Sequence, residues 1–342
     1  MPPPTILIWQ ADGGAGHDLA FMYEPVRSTL VSGFSDLPQR VISKIGTPNL
    51  VHGHGVNALF RKKADLVNGL KTGDIFLWIG PVGSNAPPWR KLRERGVRTI
   101  YYQTEPFDGC QLSGSQSDEV WEFSWHNIDA CGPRLRLDPP LTLRYVPLGY
   151  NAPPAAESSG SSSASAPPVT DGTEKADLLF LGYPFYKSGR TRCYDRLRQK
   201  LGGRLNSTWS LWDSNAFSSW WVSTGSRAIH LNLHKSCESS HNPVVFRTSL
   251  LLSRGASVIS EHSYAKDEAE YNGLVHFAKV EQLPGLLEEA LQNTTSRNGA
   301  AAAAGATGAT RPLRTRDAIA KLYAERFAPR RIFERAGVYD AL

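Results

Sequence analysis

Residues 228–263, AIHLNLHKSCESSHNPVVFRTSLLLSRGASVISEHS, restrict the fold more tightly than any other part of the chain. Ile229, Leu231 and Leu233 alternate with His230, Asn232 and His234, which is the period of a β-strand. Asn242 then stands where a helix N-cap belongs, and Pro243 where the first helical residue tolerates a missing N–H. The run VVFRTSLLLSR is helical in pattern, Gly255 follows it as a left-handed C-cap, and ASVIS is a second short strand. The stretch is therefore a βαβ unit. Its polar groups His234, Lys235, Glu238 and Asn242 fall between a strand end and a helix N-terminus, where parallel sheets accept anions.

The same alternation runs through the chain. TILIWQ, RVISKI, DIFLWIG, RTIYYQ, EVWEFSW and LRYVPLG read as strands in the first half, several followed by an amphipathic stretch. After Tyr150 the sequence NAPPAAESSGSSSASAPPVTDGTEK is rich in Pro, Ser and Ala and has no periodicity, so a flexible connection is expected there. ADLLFLG opens a second α/β region. The expected organisation is a Rossmann-like domain over 1–150, a linker over 151–176 and a second α/β domain over 177–292. A low-complexity insert over 293–311 and a helical segment over 312–342 complete it. The fold class expected is α/β, with two doubly wound Rossmann-like domains facing across a cleft.

Composition narrows the function. A chain of 342 residues with 41% apolar content can bury two cores. No apolar run approaches the length needed to span a bilayer, and MPPPTILIWQ lacks the basic region and cleavage site of a signal peptide. A cytoplasmic protein without a transmembrane segment is the expectation. The four cysteines, Cys110, Cys131, Cys193 and Cys237, lie far apart and are expected to be reduced and structural. The balance of 38 basic to 32 acidic residues gives a net charge of +6, a mild bias toward phosphate-bearing ligands. Basic residues cluster at 61–63, 90–98, 190–200 and 330–335, without the dense stripe or module that nucleic-acid binding requires.

Local motifs add candidate groups. ADGGAGHD follows the first strand, so Gly13, Gly14 and Gly16 permit a tight turn with free amides near a helix start. A dinucleotide fingerprint would need a third glycine at Leu19 and an acidic residue after RVISKI, and both are missing. His17 titrates near neutrality at this strand end and is a candidate general base. Glu105, in the loop after RTIYYQ, is the second candidate. LGYPFYKSGRTRCYDRL places Lys187 and Arg190 beside a helix start, suited to holding a diphosphate. Trp209, Trp212, Trp220 and Trp221 could stack a sugar or base, but core packing is the expected role. No DxD-type carboxylate pair is present, so no metal and no other cofactor is expected.

Taken in order, the parts resemble a GT-B glycosyltransferase, of the glycosyl transferases group 1-like and spore-coat-type branch. The resemblance rests on the first-strand glycine loop, YVPLGYN, LFLGYPF, LNLHKS, VFRTSLLLSRGASVISE and EYNGLVHF with EQLPGLLEEAL. It implies transfer of a sugar from a nucleoside diphosphate sugar to a hydroxyl acceptor such as a glycan or glycoconjugate. Lys187 and Arg190 would neutralise the donor diphosphate, and the loop from His234 to Asn242 would line its pocket. Arg247 would approach from the helix, Ser260 and Glu261 would contact the donor, and Gly182 and Tyr183 would border it. Gly14 and Gly16 would shape the acceptor-side loop. The closing segment RDAIAKLYAERFAPRRIFERAG would cross back to the N-terminal domain. One departure is visible: many retaining members carry a glutamate pair flanking this helix, whereas Asn242 and Leu250 stand here. A non-catalytic nucleotide-sugar or glycan-binding protein on the same fold is the competing reading.

Overall fold

The computed structural model describes residues 3–10, 19–45, 66–80, 87–104, 117–134, 141–153, 178–182, 189–208, 214–234, 236–237, 245–299 and 314–342. The chain divides into two compact units, one of Met1–Tyr150 with Phe327–Leu342 and one of Asn151–Arg326.

The first unit is built on six parallel strands, β1 (Thr5–Gln10), β2 (Arg40–Ile45), β3 (Ile75–Ile79), β4 (Arg98–Tyr102), β5 (Glu119–Glu122) and β6 (Thr142–Tyr145). Their spatial order is β2-β1-β3-β4-β5-β6. The second unit holds β7 (Leu178–Leu181), β8 (Leu205–Thr208), β9 (Ile229–Asn232), β10 (Ser257–Glu261) and β11 (Val275–Ala278), in the order β11-β10-β9-β7-β8. Every pairing between these strands is parallel. Parallel sheets need both faces covered, and the strands show it: IFLWI, EVWE, LLFL and IHLN are buried at every position. Both units are thus doubly wound α/β layers with one strand order, reading second, first, third, fourth, fifth. The order reverses between the first and third strands, β1/β3 and β7/β9, and such a reversal opens a crevice at the strand C-termini.

Helices fill the crossovers. In the first unit these are α1 (Leu19–Phe34), α2 (Trp89–Glu94) and α3 (Trp125–Cys131); in the second, α4 (Gly189–Leu201), α5 (Ser214–Ser223), α6 (Val245–Ser253), α7 (Ala265–Glu270), α8 (Leu283–Gly299) and α9 (Arg316–Arg326). Helix α6 ends as its sequence requires. Gly255 has φ +76°, its N–H reaches the Leu252 carbonyl at 3.0 Å, and the Ala256 N–H reaches that of Leu251 at 3.0 Å. A Cβ at Gly255 would lie 2.2 Å from the Arg316 carbonyl oxygen, so the close approach of α9 also demands glycine.

The chain returns to the first unit at Phe327, and α10 (Pro329–Arg335) packs there. Tyr150 N–H donates to the Phe327 carbonyl at 2.8 Å, so the chain leaves and re-enters this unit at one place. The fully buried ring of Phe333 occupies the space left by Gly33, where a Cβ would stand 2.6 Å from the ring. Arg144 Nε donates to Glu119 at 2.8 Å and its Nη1 to the Ala336 carbonyl at 3.0 Å, while Arg98 bridges Glu119 and the Ala341 carbonyl. Burial works to raise the Glu119 pKa. Hydrogen bonds from Arg144, Trp121 and Arg98 outweigh it and hold the carboxyl below its ordinary value.

Three readings of the sequence need revision or completion. The cysteines are not reduced: Cys193 and Cys237 form a disulfide, and Cys131 is disulfide-bonded as well. Wide sequence spacing was a poor guide, because strand and helix crossovers bring Cys193 on α4 beside the segment after β9. Helix α8 runs to Gly299, into the stretch read as a low-complexity insert, and residues 154–177 and 300–313 lie outside the described residues. The sequence reading does not mark strands β8 and β11, LNST and VHFA, since neither is a continuous apolar run and each is buried at only part of its length. Of the tryptophans, Trp221 is buried and packs with Trp220 around His230, a core arrangement; Trp209 and Trp212 lie outside the described residues.

Candidate functional site

The β7/β9 reversal of the second unit gathers the described candidates. Strand β7 ends at Leu181 and turns at Gly182, α4 starts at Gly189, β9 ends at Asn232, and β10 ends at Glu261. The turn is sterically specified. Gly182 has φ +151°, and a Cβ on it would stand 2.2 Å from Nη1 of Arg247. Arg247, on the first turn of α6, donates to the Leu181 carbonyl and lies with its guanidinium carbon 5.1 Å from the centroid of the Phe180 ring. Arg190, on the first turn of α4, donates from Nε to the His234 carbonyl at 3.1 Å and lies 5.8 Å from the same ring. Arg190 thus reaches from the helix after β7 to the loop after β9, across the point where the strand order reverses.

Both arginines are half-buried, and their electrostatics follow. Desolvation lowers the Arg190 pKa, with Glu261 opposing the shift. Desolvation pushes Arg247 well below its ordinary value, and the like charge of Arg190 adds to it. Among the described residues neither guanidinium has a carboxylate at ion-pair distance. They rest instead on carbonyl oxygens and on one aromatic ring. Two like charges crowded on a dry surface are stabilised by an anion that accepts from both.

Around them lies a buried polar network. Glu261, 2% exposed, accepts from the His234 backbone N–H, and its Oε1 is 3.8 Å from His234 Nδ1. Asn232 donates to Ser260 Oγ at 3.0 Å, and Ser260 Oγ donates to the Glu261 carbonyl at 2.9 Å, following from the Ser260–Asn232 register of β10 on β9. His234 and Ser260 are fully buried. This network holds the His234 backbone, to whose carbonyl Arg190 donates.

The structure therefore brings Gly182, Arg190, His234, Arg247, Ser260 and Glu261 together. Gly14, Gly16, His17, Glu105, Tyr183, Lys187 and Asn242 lie outside the described residues. Phe180 was missed; it stands one residue before the end of β7, and nothing in the sequence singles it out from its apolar neighbours. The Cys193–Cys237 bridge was missed too. Leu250, where a glutamate is common in the transferases the sequence resembles, is buried apolar surface of α6. Among the described residues no group of three or more His, Cys, Asp or Glu is placed to hold a metal ion, and no helix is long and apolar enough to cross a membrane.

No protein-family model matches the chain, and no curated protein sequence does. Solved structures that it resembles include glycosyltransferases. Anabaena HepE in complex with UDP and glucose aligns over 99% of this chain and 100% of its own, at 10% identity and a TM-score of 0.48. AviGT4, a glycosyltransferase of avilamycin A biosynthesis, aligns over 97% and 96% at 13% identity and a TM-score of 0.48. WaaG, a glycosyltransferase of lipopolysaccharide biosynthesis, aligns over 93% and 99% at 10% identity and a TM-score of 0.43. Likenesses of this depth do not carry an activity over to this chain.

Proposed function

We propose that this chain is a glycosyltransferase of the GT-B type, moving a sugar from a nucleoside diphosphate sugar to a hydroxyl acceptor. The observation that carries the reading is the pair Arg190 and Arg247 at the β7/β9 reversal, charged, desolvated and without a carboxylate partner among the described residues. A diphosphate suits this pair because its oxygens accept from both guanidinium groups at once. In sugar transfer the bond from the anomeric carbon to the diphosphate breaks, and negative charge grows on the departing oxygen. Cations already fixed on a low-dielectric surface stabilise that charge more than the ground state. Lys187, Tyr183 and Asn242 remain proposed donor contacts, and Gly14 and Gly16 a proposed acceptor loop. His17 and Glu105 remain the proposed groups that take the acceptor proton if the transfer inverts configuration. The cytoplasmic location expected from the sequence loses one support, since bridged cysteines are mostly kept in oxidising compartments.

Calorimetric titration with UDP, GDP, ADP and CDP tests the site, and donor turnover separates transferase from binding protein. Arg247→Met should weaken the preferred nucleoside diphosphate by about 100-fold through loss of charge-assisted hydrogen bonds. The same change should not lower thermal stability, because it removes a desolvated charge beside a like charge. Undiminished affinity in Arg247→Met would sink the assignment. Tight binding without transfer or hydrolysis of any nucleotide sugar would favour the non-catalytic reading.

A further inference from the structure

The disulfide is placed at the site rather than elsewhere in the core. Cys193 follows Arg190 by three residues on α4, and Cys237 follows His234 by three in the segment after β9. The bridge therefore joins the same two segments that the Arg190–His234 hydrogen bond joins. Their backbones also touch. A Cβ on Gly189 would lie 3.1 Å from the Cys237 nitrogen and 3.4 Å from its carbonyl oxygen. Arg190 also lies close to the like charge of Arg247, on the same ring.

We propose that the Cys193–Cys237 bridge makes anion binding at this edge depend on redox state: closed, it holds Arg190 and the segment after β9 together, and open, it releases them. The proposal rests on reading Arg190 and Arg247 as an anion site. Opening requires a dithiol. One thiolate attacks a bridge sulfur and forms a mixed disulfide, and the second thiol resolves it. Two electrons and two protons enter the protein as two cysteine thiols, and the dithiol leaves as a cyclic disulfide. Cys193 is 3% exposed and Cys237 7%, so the attack first needs a local opening at the start of α4. The device answers to a sustained reducing environment and not to brief contact with a thiol. Once the bridge is open, the ligand must order two separate segments as it binds, which lowers affinity without removing a contact.

The test titrates UDP and inorganic pyrophosphate into four samples: the oxidised chain, the chain reduced with dithiothreitol, and Cys193→Ser/Cys237→Ser with and without dithiothreitol. The double variant is needed because Cys131 is bridged as well and reduction opens both. We expect the reduced chain and the double variant to bind about tenfold more weakly than the oxidised chain, with dithiothreitol causing no further loss in the variant. Hydrogen exchange on the same samples should show protection falling at residues 189–193 and 233–237 while β1, β3 and β4 keep theirs. Equal affinity in the oxidised chain and the double variant would overturn the proposal. If the double variant does not fold, Cys131→Ser, in which reduction no longer opens the Cys131 bridge, is compared oxidised and reduced by the same criterion. If no form binds either probe, the anion reading fails, and unchanged exchange at 189–193 and 233–237 on reduction then overturns the bridge's role independently.

Discussion

Each unit contains a pair of converging arginines, and the two pairs are treated in opposite ways. In the first unit Arg98 and Arg144 meet on the buried carboxylate of Glu119 and spend their remaining donors on carbonyls of the C-terminal segment. In the second, Arg190 and Arg247 meet on the ring of Phe180 and on two carbonyls, and both are held below their ordinary pKa by desolvation. The strand order around them is the same in kind, so the sheet does not decide the difference. A carboxylate makes one pair a structural clasp, and its absence among the described residues is why we propose the other as a place for a ligand.

The comparison breaks most visibly at Glu119. Glu119→Ala should destabilise the first unit by about 3 kcal/mol, since it leaves two arginines without their anion. Chemical denaturation followed by tryptophan fluorescence measures it, and a loss near zero would mean that the clasp is ornamental. Because the Glu119 pKa is lowered by folding, its contribution is present above the ordinary carboxylate pKa and is lost as pH falls through the folded value. The acid step should be smaller in Glu119→Gln. Next in size is Gly33→Ala, which drives a methyl into the Phe333 ring. We expect about 2 kcal/mol of destabilisation and faster hydrogen exchange in α10, with the second unit unchanged.

A third probe lies in the second unit's core. Burial lowers the His230 pKa to about 4, against a hydrogen bond to the Gly225 carbonyl that works to raise it. The folded state keeps this ring neutral where the unfolded chain protonates it. Stability should therefore be complete above the ordinary histidine pKa and fall by about 2 kcal/mol as pH drops from about 6.5 to about 5. His230→Gln should flatten that part of the pH profile; an unchanged slope would reassign it to other groups. The smallest effect is expected at Gly182→Ala. Its methyl displaces the Arg247 guanidinium from the Leu181 carbonyl, and a φ of +151° disfavours any side chain, so affinity for the preferred nucleoside diphosphate should fall about tenfold with some loss in melting temperature. Unchanged affinity in the folded variant would show that Gly182 serves the fold and not the site.

Much of the fold was legible because parallel strands buried on both faces are continuous apolar runs, and TILIWQ, DIFLWIG, RTIYYQ and ADLLFLG are such runs. Gly255 was legible for a local reason, the left-handed residue that closes α6. Strands β8 and β11 were not, being short and weakly patterned, and the cysteine reading failed because spacing along the chain says nothing about proximity across crossovers. At the site, Arg190, His234, Arg247 and Glu261 stand out in sequence as polar groups at element ends. Their roles separate only in space: Glu261 turns inward to the His234 backbone, while the arginines face a ring and carbonyls.

Sequence alone determined the long apolar strands and the end of α6, since period, caps and turn glycines act over a few residues. It also determined that polar groups would collect at the strand ends of a parallel sheet. Tertiary structure decided which charges are neutralised, which pair has no carboxylate among the described residues, and which cysteines join. Those outcomes depend on distances between residues far apart in the chain, and only the packed sheets set such distances.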